Sequence, residues 1–170
     1  MESVSRRQEW NQGLVRVVTN SNPKMANILK ALISIFLGGA IYVLWRPDSL
    51  LMFSWFDLLG IGRQIDWMRG AASGVEMGIP EWAIKSLPQA LWFFGGNLMI
   101  ISIWRAELRF GRLIWLLVLW GFAISLELGQ AVAIVPGSYD HTDLLLLIIF
   151  GAAALILSTK SNYEEPTRHN

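Results

Sequence analysis

Residues 113–135 read LIWLLVLWGFAISLELGQAVAIV, an apolar run broken by one charged side chain, Glu127. At roughly 1.5 Å per residue a helix of this length covers about 35 Å, more than the ~30 Å hydrocarbon core of a bilayer. Three further runs of similar character lie at residues 28–45, 87–104 and 140–159. The expected fold is therefore all-α, an integral membrane four-helix bundle occupying residues 27–160. A polar arm, residues 1–26, precedes it, and a polar tail, residues 161–170, follows.

Whole-chain composition agrees. The chain has 170 residues, of which 54% are hydrophobic and only 16% charged, with nine Trp. That suits one domain in a bilayer rather than in water. A net charge of +1 argues against nucleic acid as a partner. Cysteine is absent, so disulfides and thiolate metal sites are excluded. The polar stretch before the first run is long for a signal peptide, and the run itself is longer than an ordinary signal core. An uncleaved anchor is expected.

The connections carry their own signals. Residues 50–61 are apolar but too few to span, so a helix lying in the membrane interface, or dipping into it, is expected in the first loop. Residues 70–78 look small and flexible. Pro80-Glu81-Trp82 marks the start of a short helix, and Ser86-Leu87-Pro88 supplies an N-cap serine with proline just inside the second span. Gly38-Gly39-Ala40 offers a close-packing face. Asn97 is expected to hydrogen-bond a neighbouring helix, and Gly121, Ser125 and Gly129 recur every four residues as a packing stripe.

Lys and Arg are distributed unevenly. Five lie before or at the start of the first span, three in the second loop and two in the tail, against four in the long first loop. By the positive-inside rule both termini of this multi-pass chain are expected to be cytoplasmic. The first loop and the turn at residues 136–143 then face outward.

Specific chemistry concentrates in Ser125-Leu126-Glu127-Leu128-Gly129-Gln130 and Pro136-Gly137-Ser138-Tyr139-Asp140-His141-Thr142-Asp143. With a helix running to Val135, Glu127 would sit about 12 Å inside its outer end. A charge there costs about 2.5–3.5 kcal/mol on insertion scales, so the group is either protonated or partnered. Gln130 shares its helical face. Arg46 and Lys85, at the outward ends of the first two spans, are candidate partners. Asp140 and Asp143 fall in the first turn of the fourth span, where a helix N-terminus favours carboxylates. Two readings stand. Asp140 caps the helix, Asp143 is an exposed first-turn acid and Glu127 makes a structural hydrogen bond. Or Glu127, Gln130, Asp140, His141 and Asp143 converge in one outward-facing layer. Such a layer suits a divalent cation, acid–base chemistry on a lipid-linked substrate, or binding of a polar head group. His141 alone reads as an interfacial residue. No His/Cys ligand spacing, Ser-His-Asp signature or phosphate-binding loop is present.

The order Glu127-x-x-Gln130, Pro136-Gly137, Asp140-x-x-Asp143 at the head of an apolar helix resembles the VanZ-like membrane proteins. The resemblance covers roughly residues 80–155, with its specific part in residues 127–143. It departs from the family in lacking an Arg in the turn before Asp140, and in having Leu147 where an Asn is common. The resemblance implies a cell-envelope role in a bacterium, related to glycopeptide resistance in the family's named member, and no established reaction. Two functions follow as expectations. In one, the chain binds or modifies a lipid or lipid-linked cell-wall component, with Glu127, Asp140 and Asp143 as acid, base or cation-binding groups and Gln130, His141, Arg46 and Lys85 around the substrate. In the other it is a structural subunit that packs against a partner membrane protein. No cofactor or metal is assigned.

Overall fold

The computed structural model describes residues 23–76, 78–104, 109–135 and 139–163. The polar arm before Pro23, Arg105, the turn residues Pro136, Gly137 and Ser138, and the end of the tail lie outside the described residues. Among the described residues seven helices follow one another: α1 (Pro23–Trp45), α2 (Leu51–Leu58), α3 (Gly62–Glu76), α4 (Glu81–Lys85), α5 (Leu87–Ile103), α6 (Arg109–Ala131) and α7 (His141–Tyr163), with no strand. Three of the described segments are long and apolar enough to cross a membrane, Lys24–Trp45, Arg109–Ala131 and His141–Ser158; α5, with 17 residues, is apolar but shorter.

α5 lies at the centre. It packs most extensively on α1, then on α7, and less on α6. α1 approaches it through two glycines. Gly38 sits against the Trp92 ring and the Pro88 carbonyl, and Gly95 against Ile35 and the Ala31 carbonyl. The Trp92 indole donates to Ile35 O at 3.1 Å. The expected close-packing face on α1 is thus present at Gly38, while Gly39 has nothing near its Cβ direction. On the other side Phe93 stacks edge-on against Trp120 of α6, with ring centroids 5.0 Å apart, and Phe94 meets Phe150 of α7. Leu98 packs with Ala154 and Ala31. These pairings make α1 and α6 antiparallel to α5, and α7 parallel to it.

Asn97, fully buried, bridges α5 to α6. Its amide donates to Phe93 O at 2.8 Å, and its Oδ1 accepts from Trp120 Nε1 at 2.8 Å. Trp120→Phe removes the interhelical bond while leaving the ring contact. It should cost about 0.6–1.7 kcal/mol, the range for such bonds inside membranes. Equilibrium unfolding of the purified protein in mixed micelles would read this; no change would mean that the Asn97 bond to its own helix suffices.

Several boundaries differ from the sequence expectation. α6 stops at Ala131, short of Val135. Ala133 adopts φ 58°, and the amides of Ile134 and Val135 both return to Gly129 O, at 2.9 and 3.1 Å. This tight turn satisfies the terminal carbonyls, and Gly129 lets Val135 fold back over it. Gly121 and Ser125 are exposed and Gly129 meets only Val135, so the 121/125/129 row packs on no other described helix. The region at 70–76, expected to be flexible, is the second half of α3. Tertiary anchors override its glycines: Arg69 Nη1 donates to Val43 O at 2.7 Å, Trp45 Nε1 to Ala72 O at 3.4 Å, and the Arg69 guanidinium lies 4.7 Å from the Phe53 ring centroid.

Ser86 also departs from expectation. It precedes α5, but its φ of −101° and ψ of −33° are helical and its side chain makes no cap bond. Ser86 N already bonds Trp82 O at 2.8 Å and Ala90 N bonds Ser86 O at 3.3 Å, so α4 runs almost continuously into α5. A side-chain cap needs an extended residue, and Pro88 has no N–H to offer.

The outer faces of the long helices are apolar and exposed, as at Phe36 (75%) and Phe122 (64%). Water does not support surfaces of this extent on a monomer; lipid does. This is the physical signature of a membrane protein.

Candidate acidic site

Three buried stripes converge at the end where α5 starts, α6 ends and α7 starts. On α5 the stripe is Ser86, Ala90, Phe93 and Asn97; on α6 it is Ala123 and Glu127; on α7 it is Leu147, Gly151, Ala154 and Ser158. Asp143 lies one turn before Leu147 and extends the α7 stripe. Phe93, Ala123 and Leu147 form one apolar layer. One turn further out, the next layer is polar: Ser86 with Gln89, Glu127 and Asp143.

Glu127 is 1% exposed. Its Oε1 accepts a hydrogen bond from Gln89 Nε2 at 2.6 Å. Its Oε2 has no partner, and neither have Asp143 Oδ1 and Ser86 Oγ, all three buried. The charges of Asp143 and Asp140 lie close enough to act on Glu127 across the α6–α7 gap. The layer therefore holds two carboxyl groups beside each other with buried, unsatisfied oxygens. Native interiors seldom leave such atoms unpaired.

The expected convergence is realised in part. Glu127 and Asp143 come together. The expected orienting role of Gln130 falls to Gln89 of α5, since Gln130 makes no hydrogen bond to Glu127. With α6 ending at Ala131, Glu127 is four residues from its end, about 6 Å rather than 12 Å. Asp143 is half-buried rather than an exposed acid. Asp140 is the cap: its Oδ1 accepts from Thr142 N at 2.8 Å. His141 is exposed and edges against Tyr139, centroids 4.8 Å apart. Lys85 pairs with Glu81 and acts on Asp140 from a distance. Arg46 lies over Tyr42, 5.2 Å from its centroid, and Tyr42 in turn packs on Trp92, the α1-facing side of α5. Neither cation touches Glu127. Among the described residues no three His, Cys, Asp or Glu side chains are grouped to hold a metal ion. A separate polar recess beside Asp57, Gly62, Arg63 and Gln64 is built mainly of exposed groups.

The Thr142 backbone and side chain hold Asp140 below the ordinary carboxylate value of 3.8. The cap therefore stabilises the folded protein above that value and is lost as pH falls through the lower folded one. Asp140→Asn, which caps without titrating, should leave the melting temperature near neutral pH almost unchanged and flatten its fall below about pH 4. A wild-type-like acid profile in the variant would remove Asp140 from that account.

No protein-family model, curated protein or solved structure matches this chain. Function is therefore argued from the layer itself.

Proposed function

We propose that the chain is a four-span protein of the bacterial cytoplasmic membrane, VanZ-like in type, that binds or modifies a lipid or lipid-linked cell-wall component at an acidic site near the outer surface. The observation that carries this is Glu127: almost wholly buried, fixed on one oxygen by Gln89 and unsatisfied on the other, beside the unsatisfied Asp143. A carboxyl group so held costs stability unless it meets a ligand. The near-continuity of α4 and α5 supports a fourth span, since residues 81–103 together reach about 34 Å. The α2–α3 hairpin supports an interfacial element: Trp55, Leu58, Leu59 and Trp67 are all exposed, and Gly60, at φ 74°, turns the chain between the two helices. The positive-inside count supports cytoplasmic termini.

The test is a null strain complemented with wild type, Glu127→Gln and Asp143→Asn, each confirmed as inserted and folded. Teicoplanin sensitivity and the envelope lipid profile are the readouts. The wild-type gene should restore both and the variants neither. Full restoration by Glu127→Gln would remove the active-site reading.

One observation favours the second reading, a structural subunit. The Gly121/Ser125 row of α6 is exposed and flanked by Val118 and Phe122, a face on which another membrane helix would fit. That reading requires another membrane protein to co-purify in mild detergent and to be released by Gly121→Leu.

A further inference from the structure

The three unpartnered oxygens of the polar layer share one chemistry. Glu127 Oε2 and Asp143 Oδ1 are carboxyl oxygens that can accept hydrogen bonds, and the Ser86 hydroxyl accepts as well as donates. Ser86, like Glu127, is 1% exposed. It lies on the α5 stripe that continues through Ala90 and Phe93, and Phe93 fills the gap between Trp120 of α6 and Gly151 of α7. Ser86 precedes Gln89, the hydrogen-bond partner of Glu127, by three residues and so lies one helical turn away on the same face. No donor among the described residues bonds these three oxygens; Arg46 Nε is itself buried without an acceptor and lies by Tyr42, not at Glu127. Gln89 is used on Glu127 Oε1 and Lys85 on Glu81. A hydrogen-bond donor that also carries positive charge would suit two neighbouring carboxyl groups. Among the described residues no three His, Cys, Asp or Glu side chains are grouped here to hold a metal ion.

We propose that Ser86, Glu127 and Asp143 bind a primary ammonium group, and that this is the head-group amine of a membrane lipid. A primary ammonium brings one positive charge and three N–H donors, one for each unsatisfied oxygen. Asp143 and Gln89 are half-buried. At the same ends of α6 and α7 Leu128, Val132, Ile134 and Leu145 are exposed and apolar, a surface for acyl chains rather than for a soluble amine. The proposal rests on the preceding reading, that this layer is a lipid site, and names its ligand.

Detergent-purified full-length protein would be titrated with dioleoyl phosphatidylethanolamine, its trimethylated choline analogue, dioleoyl phosphatidylglycerol and free ethanolamine, with binding read by native mass spectrometry and thermal shift. Trimethylation keeps the charge and removes every N–H donor. The ethanolamine lipid should bind roughly tenfold or more tightly than the choline lipid. Phosphatidylglycerol should bind no better than the choline lipid, and free ethanolamine only weakly. Glu127→Gln should abolish the preference, and Ser86→Ala, a small change at a buried site, should reduce it without loss of folded protein. Equal, Glu127-dependent binding of the ethanolamine and choline lipids would overturn the ammonium site and leave the lipid site standing. Free ethanolamine binding as tightly as the lipid would overturn the lipid source. Absence of any Glu127-dependent lipid binding would overturn both, as it would if a proton or water filled the layer.

Discussion

Gly95→Leu and Gly38→Leu should each force α1 away from α5 and produce a large loss of stability. A Cβ on Gly95 would fall 2.7 Å from Ile35 Cγ1 and 2.9 Å from the Ala31 carbonyl oxygen. One on Gly38 would fall 2.8 Å from the Trp92 ring and 2.9 Å from the Pro88 carbonyl oxygen. Side chains can turn away, but backbone oxygens in two regular helices cannot, so the helices must separate. Lipid offers no hydrophobic compensation for the lost contact, because helix association in a bilayer rests on close packing. Separation also breaks the Trp92 bond to Ile35 and shifts Pro88, one residue before Gln89. Overpacking of this kind costs about 1–3 kcal/mol and occasionally more. Gly39→Leu is the control: its Cβ direction is empty, and the change should stay within about 0.5 kcal/mol. Equilibrium unfolding of the three variants in mixed micelles decides it. Equal stability of Gly39→Leu and Gly95→Leu would mean that α1 and α5 do not meet as described.

How far the sequence foretold this arrangement varies with the physics behind each feature. Long apolar runs are legible because a bilayer sets their length, so all four long helices fall where expected to within a few residues. Ends are less legible. Residues 132–135 are apolar and continue the hydropathy of α6, yet the chain turns at Ala133 through backbone geometry that hydropathy does not encode. Residues 70–78 look flexible in sequence because they are small and glycine-containing; the anchors that hold residues 70–76 in α3 involve Arg69 and Trp45 and act over 26 and 27 residues of sequence. In the polar layer Glu127 and Asp143 stood out as carboxylates in apolar company. Gln89 did not, since an amide near the start of a span draws little notice. The signal was its spacing of eight residues from Asn97, which puts both amides on the α6-facing side of α5, where each finds its α6 partner. Gln130 was favoured by proximity in sequence, and the turn after Ala131 shows why such proximity is a weak guide at a helix end.

Gln89→Leu should be the most damaging change within the polar layer, and a second substitution at Glu127 should largely repair it. In the wild type one carboxyl oxygen of Glu127 is satisfied and the other is not. Losing the Gln89 amide leaves both oxygens buried without a donor, at a cost of about 1.5–3 kcal/mol for a bond to a charged group. Glu127→Gln behaves differently. Its amide oxygen can still accept from Gln89 Nε2, while the charge facing Asp143 disappears, so the melting temperature should stay level or rise. In the double variant Gln89→Leu/Glu127→Leu no unpaired polar atom remains at either position, and stability should return close to wild type. The coupling across this cycle separates two purposes for the layer. A layer kept to hold helices together would lose stability at Glu127→Gln as well as at Gln89→Leu. A layer kept for a ligand is strained when empty, so neutralising Glu127 relieves it while ligand binding is lost. Additive effects of the two leucine substitutions would show that the 2.6 Å bond contributes nothing. Glu127 would then lack the fixed geometry that head-group recognition requires.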